Sequence, residues 1–356
     1  MKRQPLALAG RVLLVISLFA AASCSVPGTP APAPTTAAPM AATPSMATPS
    51  PVTPTPATPT TATPTNRAPS TPLSPESTPL VFAVVGDYGR DNGHAAAVAD
   101  LVASWNPAFV LSVGDGYYAP AGGTGSARYD ESTGAYYCGW LADITTSGKR
   151  CPAGLAEKNA FFPAMGNHDY TDARPSPETY LSYFDLPGAG FTNSSGNERF
   201  YDFVQGPVHF FVLDSNPQQP AGTSETSRQA RWLKRQLAAS TSTWNVVYDH
   251  HPPYSSDADH GSSQGMRWPF ADWGADAVIS GHSHTYERVM QDGIVYFVNG
   301  LGGSPVYKFT TPVAGSAVRY NQNWGAQQVS ATDTSLTFVF VNLDGAVIDS
   351  FSLPAK

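Results

Sequence analysis

Residues 80–87 read Leu80-Val81-Phe82-Ala83-Val84-Val85-Gly86-Asp87, a run of six apolar residues that ends directly in glycine and aspartate. A continuous apolar run of this length is typical of a strand that is covered on both faces. The pattern of an apolar run followed by a polar side chain recurs, and the five polar residues are Asp87, Asp115, Asn167, His250 and His282. Because ligands bind outside the carboxyl ends of the strands in layered α/β proteins, these positions predict one shared site.

The side chains at this predicted site are suited to binding metal ions. Carboxylate, amide and imidazole groups are common metal ligands, and His284 adds a further imidazole two residues after His282. Tyr118 lies three residues after Asp115, close enough to reach the same ion, and a phenolate favours a trivalent metal. No cysteine is near these positions, so a closed cysteine-type zinc site is excluded. The set of ligands therefore predicts two metal ions.

The remainder of residues 80–356 alternates between helix and strand patterns, which predicts one large α/β domain. Helices are predicted at 94–105, 177–184 and 226–237, and further strands at 109–113, 208–213 and 246–248. Near the C-terminus, two apolar stretches flank Asp344-Gly345, which predicts a hairpin with a tight turn.

Five motifs taken together resemble those of the calcineurin-like metallophosphoesterases. They are Gly86-Asp87-Tyr88-Gly89, Gly114-Asp115-Gly116-Tyr117-Tyr118, Gly166-Asn167-His168-Asp169, Val247-Tyr248-Asp249-His250 and Gly281-His282-Ser283-His284. The position of Tyr118 and the residues from His284 to Arg288 are similar to the purple acid phosphatase branch. The resemblance runs from residue 80 to the end. It implies a four-layer α/β fold, in which two packed mixed sheets are flanked by helices and the metal site lies at the carboxyl ends of the strands.

The resemblance also implies a chemistry and a role for each ligand. The metals would be a ferric ion and a divalent Fe, Zn or Mn ion, and a metal-bound hydroxide would hydrolyse phosphate monoesters, as in an acid phosphatase. The implied ligands are Asp87, Tyr118 and His284 for the ferric ion, Asn167, His250 and His282 for the divalent ion, and Asp115 as the bridge. Specificity in this family lies in variable loops, so a phosphodiesterase or nucleotidase on the same scaffold is the alternative.

Two further histidines resemble the catalytic histidines of the family, which orient the phosphate and protonate the leaving oxygen. His168 follows Asn167 directly, and His260 lies ten residues after His250. For His260 the alternative is an ordinary histidine in a polar turn. The family pattern His-x-Pro-x-Tyr-Ser begins at His250, so we expect a structural role for His251. Glu287 and Arg288 are expected to form a structural ion pair or hydrogen bonds.

The N-terminal residues predict export rather than a folded domain. Residues 1–23 have a basic start and an apolar run too short to span a membrane, as in a signal peptide. Residues 24–79 are almost entirely Pro, Thr, Ala and Ser, which cannot bury enough apolar surface to fold, so they predict a disordered stalk. Ala21-Ala22-Ser23-Cys24 resembles a lipobox, which would anchor the protein through a lipid on Cys24 at the outer face of the cell membrane. An ordinary cleaved signal, followed by secretion, is the alternative.

The cysteine count and the net charge limit the remaining possibilities. If Cys24 carries lipid, two cysteines remain, Cys138 and Cys151. Because disulfides form outside the cytosol, we expect a disulfide between these two cysteines. Two free thiols are the alternative. The net charge of −7 does not favour nucleic acid as a partner. The oligomeric state does not follow from the sequence.

One interpretation comes from another class of protein, a tethered binding protein that uses the stalk and aromatic surface for adhesion. Such a protein would be expected to have lost some of its metal ligands, but all seven predicted positions retain residues that bind metals. The sequence therefore favours an enzyme that acts on small phosphate esters outside the cytoplasm.

Overall fold

The architecture is two packed β-sheets with helices on their outer faces. A computed structural model describes residues 78–90, 92–118, 129–142, 144, 155–170 and 177–356. The predicted signal peptide, nearly all of the predicted stalk, Cys24 and Cys151 lie outside these residues. One sheet has six strands in the order β13-β12-β11-β1-β2-β3, and the other has seven in the order β10-β8-β9-β7-β6-β5-β4.

The strands are β1 Leu80–Val85, β2 Val110–Ser112, β3 Phe161–Pro163, β4 Tyr201–Gln205, β5 Val208–Val212, β6 Trp244–Tyr248, β7 Ala277–Ser280, β8 Tyr286–Gln291, β9 Ile294–Asn299, β10 Ser316–Tyr320, β11 Gly325–Ala331, β12 Ser335–Asn342 and β13 Val347–Pro354. The helices are α1 Gly93–Ser104, α2 Ala135–Tyr137, α3 Glu178–Tyr183, α4 Arg228–Ala239 and α5 Phe270–Trp273. A π-helical turn, Asp130–Gly134, precedes α2, and 3₁₀ turns lie at Cys138–Trp140 and Gln264–Met266.

The space between the sheets is filled largely by aromatic side chains. Phe82 of the first sheet meets Phe210 of the second edge to face, with their ring centres 5.2 Å apart. Farther along, Phe297 of the second sheet packs on Phe338 of the first at 4.6 Å. These rings are almost completely inaccessible to solvent, and burying each stabilises the fold by roughly 1.5–3 kcal/mol. The aromatic layer therefore fixes the two sheets against each other.

Helices cover the outer faces of the sheets and complete four layers. Asn92 begins α1 as its N-cap by accepting hydrogen bonds from the amides of His94 and Ala95, and Val98 and Val102 of this helix face the core. On the other side, α4 and α5 form a second apolar cluster with the seven-stranded sheet. Ser227 caps α4 by accepting from the amide of Ala230. The α/β architecture expected from the sequence is therefore confirmed.

Most of the predicted elements are present with bounds that differ by one to two residues. The helix predicted at 177–184 spans Glu178–Tyr183 in the structure, and the helix predicted at 226–237 spans Arg228–Ala239. The C-terminal hairpin is formed by β12 and β13, and Gly345 in its turn has a φ of 77°. Strands β4 and β8 to β11 were not predicted from the sequence. Within the described residues, no helix is both long and apolar enough to cross a lipid bilayer.

Candidate metal centre

The strand order brings the predicted ligands to one edge of the two sheets. In the six-stranded sheet, β1, β2 and β3 run parallel, and the loops after them carry Asp87, Asp115 and Asn167. In the other sheet, β6 and β7 run parallel, and the loops after them carry His250 and His282. Parallel strands end at the same edge, so these five loops face one another across the top of the sandwich.

The backbone at three of the predicted ligands is left-handed although none of them is glycine. Asp87, Asp115 and His282 have φ values of 59°, 54° and 67°. An L-residue in this region costs roughly 1–3 kcal/mol, and such strain clusters at functional sites. The fold therefore holds these three side chains in directions that an ordinary strand-to-loop transition would not give them.

The loops approach one another so closely that side chains are excluded between them. A Cβ atom at Gly166 would lie 2.0 Å from Asp115 Oδ1, and one at Gly281 would lie 2.7 Å from Asp87 Oδ2. The glycine before Asn167 and the glycine before His282 are thus required by packing against the carboxylates themselves.

The first group of ligands consists of Asp87, Tyr118 and His284. The Tyr118 hydroxyl lies 3.1 Å from His284 Nε2 and 3.4 Å from Asp87 Oδ1. His284 Nε2 is also 3.4 Å from Asp87 Oδ1. Three donor atoms therefore surround one point at distances that a single cation could bridge.

The second group is centred on His250 Nε2. This nitrogen lies 3.0 Å from Asn167 Oδ1, 3.2 Å from His282 Nδ1 and 3.4 Å from Asp115 Oδ1. Ligand atoms of Asp87, Asp115 and His250 all lie within 4.8 Å of one another. Asp115 therefore lies close both to His250 of the second group and to Asp87 of the first.

Backbone carbonyl groups fix the tautomers of two of these histidines. His250 Nδ1 donates to the Val113 carbonyl at 2.8 Å, and His284 Nδ1 donates to the Pro305 carbonyl at 2.8 Å. With the proton held on Nδ1, Nε2 presents its lone pair to the site. Metal-binding histidines are commonly oriented in this way by their other nitrogen.

The balance of charge at the site favours bound cations. Asp87 and Asp115 are almost fully buried, and neither is paired with a lysine or arginine among the described residues. Burial alone would lower the pKa of His250, but the Asp115 and Asp87 carboxylates and the hydrogen bond to the Val113 carbonyl together outweigh burial and raise it. Burial and the Asp115 and Asp87 charges raise the pKa of Tyr118 well above its usual value. Two buried carboxylates whose ion-pair partners among the described residues are histidines, and not lysine or arginine, fit a site that holds positive ions.

The two predicted catalytic histidines flank the ligands on the solvent side. His168 donates its backbone N–H to Asp115 Oδ1 at 2.9 Å, and its ring lies 4.4 Å from that of Tyr118. His260 stacks on His282 at 4.0 Å and is exposed to solvent. Both imidazoles are therefore accessible to a ligand that enters the site, and their catalytic roles stay predictions.

Several residues that brace the site were not identified from the sequence. Asp169 Oδ2 accepts from the amides of Asp115 and Gly166, at 3.1 and 2.7 Å, and Oδ1 accepts from the Tyr129 hydroxyl at 2.7 Å. Asp169 belongs to a recognised motif, but Tyr129 lies 40 positions away and carried no signal. This part of the 119–156 insertion therefore packs beneath the ligand loops.

His251, given a structural role from the sequence, lies beside the second group. Its ring is 4.4 Å from that of His282, and its Nδ1 is 2.8 Å from Ser215 Oγ. Ser215 Oγ already accepts the amides of His250 and His251, so its hydroxyl hydrogen is left for His251 Nδ1. Tyr307, also not identified from the sequence, stacks on His284 at 4.1 Å at the rim.

Asp249, next to His250, gives a prediction for stability. Its Oδ1 accepts from Ser280 Oγ at 2.6 Å, whereas Oδ2 is buried with no hydrogen-bond partner among the residues that the structure describes. Burial raises the pKa of Asp249 to about 7. A carboxyl whose pKa is raised on folding stabilises the protein at low pH, and this contribution is lost as the pH rises towards 7. In the presence of a metal chelator, the melting temperature of Asp249→Asn should therefore exceed that of the wild type by roughly 3–8 °C at pH 8. At pH 4.5 the two melting temperatures should differ little.

The matched control for this prediction is Asp272→Asn, because Asp272 is exposed on α5 and should leave the melting temperature unchanged at both pH values. Scanning calorimetry measures all three proteins. A melting temperature for Asp249→Asn at or below that of the wild type at pH 8 would contradict the assignment of a destabilising buried charge.

The fold and the groups at its strand ends are those of a metal-dependent phosphoester hydrolase. Comparison with known proteins agrees: the family model described as calcineurin-like phosphoesterase matches residues 80–286, more than half of the chain, and the chain belongs to this family. Its relatives place it in the purple acid phosphatase branch. The family expected from the sequence motifs is thereby confirmed.

Individual relatives are distant in sequence. Purple acid phosphatase 15 of Arabidopsis thaliana is 28% identical over 257 residues, which cover 65% of this chain and 46% of the plant protein. Tartrate-resistant acid phosphatase type 5 of Mus musculus is 23% identical, with 78% of this chain and 91% of the mouse protein covered. A purple acid phosphatase structure from yellow lupin seeds has a TM-score of 0.60 at 16% identity, covering 78% of this chain and 54% of the lupin chain. The chain thus spans about half the length of these plant relatives and shares the lupin enzyme's fold.

Proposed function

We propose that the protein is an acid phosphatase that hydrolyses phosphate monoesters at a dinuclear metal centre. The observation that carries the proposal is the arrangement of the seven ligand residues in two groups, with Asp115 between them. One cation would be held by Asp87, Tyr118 and His284, and the other by Asn167, His250 and His282. Asp115 would bind both cations. Relatives named as acid phosphatases support the reaction class.

A bound pair of cations supplies two effects in phosphoester hydrolysis, neutralisation of charge on the phosphoryl oxygens and a lowered pKa for water. The residues of the chain supply orientation. The His168 amide holds Asp115 Oδ1 in place, and the carbonyls of Val113 and Pro305 keep His250 and His284 turned towards the site. Held in this way, the ligands need little reorganisation when substrate arrives.

Groups at the rim of the site are available to the substrate itself. His168 and His260 are accessible imidazoles that would hydrogen-bond the phosphate, and one of them would give a proton to the leaving oxygen. Arg90 is exposed, and its guanidinium carbon lies 4.8 Å from the centre of the Tyr118 ring, so its charge would attract a phosphate dianion.

The first experiment compares p-nitrophenyl phosphate with bis(p-nitrophenyl) phosphate as substrates of the purified, metal-loaded protein. A monoesterase should hydrolyse the monoester at least about tenfold more efficiently, measured as kcat/KM. The reverse preference would support the phosphodiesterase or nucleotidase alternative, which the same ligands permit. A protein that takes up no metal and hydrolyses neither ester would favour the tethered binding protein.

Tyr118 gives a prediction about the first cation. Its pKa is raised by burial and by two carboxylates, so a phenolate at this position needs a strongly positive ion beside it. We therefore expect ferric iron there and a visible phenolate-to-iron charge-transfer band in the oxidised protein. Tyr118→Phe keeps Asp87 and His284 but lacks the phenolate, so the band should be absent from its absorption spectrum. A band that persists in Tyr118→Phe would mean that another group binds the iron.

The location outside the cytoplasm is part of the same proposal and rests on residues 1–79 alone. The lipid on Cys24 and the Cys138–Cys151 disulfide also stay predictions, since Cys24 and Cys151 lie outside the described residues. Mass spectrometry of the protein purified from its membrane fraction tests both, because a lipid on Cys24 adds mass and a disulfide removes two hydrogens.

A further inference from the structure

The loop that brings His260 to the site is organised around one buried carboxylate, Asp257. Asp257 is 2% exposed and accepts four hydrogen bonds. Its Oδ1 accepts from the amides of Asp259 and His260, at 2.7 and 3.1 Å, and its Oδ2 accepts from the Gly261 amide at 2.9 Å. Three successive amides therefore wrap around a single side chain, which fixes the backbone at His260.

The fourth hydrogen bond connects this loop to the ligands. Ser283, between His282 and His284, donates its hydroxyl to Asp257 Oδ2 at 2.5 Å. Ser283 Oγ in turn accepts from Ser255 Oγ at 3.0 Å. Asp257 thus ties the backbone of His260 to the segment that carries two of the predicted metal ligands.

The base of the loop is fixed by a second buried carboxylate, Glu287 of β8. Its Oε2 accepts from the Ser256 amide at 2.7 Å, and its Oε1 accepts from the hydroxyls of Ser256 and Ser316, at 2.5 and 2.6 Å. Glu287 therefore forms structural hydrogen bonds, as expected. Arg288 forms an ion pair with Asp349, with Nε 2.7 Å from Oδ2. The Ala258 amide donates to the Lys308 carbonyl at 2.8 Å, and the next three amides, which form the tip of the loop, donate to Asp257.

The tip of this loop places the His260 ring against the predicted metal ligand His282. The exposed His260 ring stacks on His282 at 4.0 Å and 27°, and it lies 5.4 Å from the ring of Tyr307. An exposed imidazole keeps such a place only if its backbone is held, because a free loop would give the ring many competing positions. Displacing a catalytic group by about 1 Å lowers the rate by roughly 100-fold.

We propose that Asp257 is a positioning residue, which holds His260 over His282 so that the imidazole can reach the leaving oxygen of the substrate. The inference rests on the proposed hydrolysis, since it assigns the residue through which His260 acts. Among the described residues, the Asp257 carboxylate accepts hydrogen bonds from the three amides of its loop and from Ser283, and from no side chain of a predicted metal ligand.

The test is Asp257→Asn in the full-length, metal-loaded protein. The NH2 group of asparagine cannot accept hydrogen bonds, so two of the four hydrogen bonds to residue 257 lose their acceptor. The size of the side chain stays the same. The variant should lose roughly 10–100-fold in kcat for p-nitrophenyl phosphate, with KM and metal content close to those of the wild type. Asp272→Asn is the control, since Asp272 is exposed on α5 and takes no part in this loop, and it should keep kcat within about twofold.

A double-mutant cycle with His260→Ala separates positioning from a merely structural role. If Asp257 acts through His260, Asp257→Asn should reduce kcat by less than about twofold when His260 is already alanine. An undiminished effect in that background, or loss of metal from Asp257→Asn, would overturn the proposal. Should Asp257→Asn not fold, Asp257→Ser, which retains one acceptor oxygen, is measured with the same expectations.

A readout that does not need turnover distinguishes this inference from the proposed function. Amide hydrogen exchange at Asp259, His260 and Gly261 should be faster in Asp257→Asn than in the wild type, and the NMR shifts of the His260 ring should lose the ring-current effect of His282. If the wild type hydrolyses no phosphate ester, the proposed function fails, and these measurements alone decide whether Asp257 positions His260. Unchanged exchange and ring shifts would overturn the inference even in an active enzyme.

Discussion

Asp115→Asn should reduce kcat for p-nitrophenyl phosphate by roughly 1,000-fold or more and should lower the amount of bound metal. Asp115 stands between the two ligand groups, with Oδ1 3.4 Å from His250 Nε2 and its backbone left-handed. Asparagine keeps the size of the side chain but removes the negative charge and one ligand oxygen, so neither cation would be held as tightly. Steady-state kinetics and elemental analysis of the same preparation measure both effects.

The control for Asp115→Asn is the same chemical change at Asp272, which is exposed on α5 away from the strand ends. This variant should match the wild type in kcat and metal content. Full activity in Asp115→Asn, with two metals still bound, would refute the bridging role.

Gly166→Ala should be nearly as damaging, although it adds only a methyl group. The new Cβ would lie 2.0 Å from Asp115 Oδ1 and 2.4 Å from the Asp115 amide nitrogen, so the loops after β2 and β3 must separate. We expect a loss of roughly 100-fold or more in kcat, because a ligand shifts by about 1 Å. We also expect destabilisation by about 1–3 kcal/mol, which lowers the melting temperature by several degrees.

Gly265→Ala provides the matched control, since a Cβ at Gly265 meets nothing within 4 Å and the residue lies exposed in a 3₁₀ turn. It should leave kcat and melting temperature near those of the wild type. If Gly166→Ala behaved like this control, the close approach of the two loops would not be needed for the site.

The positions of the ligands could be predicted because buried parallel strands leave a clear signal. Strands such as β1 and β7, covered on both faces, are continuous apolar runs, and each ends in a polar residue that the fold places at one edge. By contrast, β10 and β11 contain many polar or small residues and pair antiparallel. Such strands are specified by their partners more than by their own pattern, so the sequence did not indicate them. Strand β9 is an exception, because it is an apolar run that is buried throughout and pairs parallel with β7, yet it was not predicted.

The braces of the site could not be predicted because they join residues that are far apart in sequence. Tyr129 reaches Asp169 across 40 positions, and Asp257 reaches Ser283 across 26. Neither pair has a spacing that local rules would identify. The left-handed backbone of Asp87 and His282 had no sequence signal either, because glycine is the residue that usually marks that region. Tertiary packing imposes these features, and only the folded chain shows them.

Elemental analysis of the purified protein, after loading with iron and zinc and removal of loosely bound ions, tests the two-cation site most directly. We expect two tightly bound metal ions per chain in the wild type, and fewer in both Asp115→Asn and His250→Ala. A wild-type protein that retains less than one ion per chain would contradict the site, and so would variants that hold as much metal as the wild type.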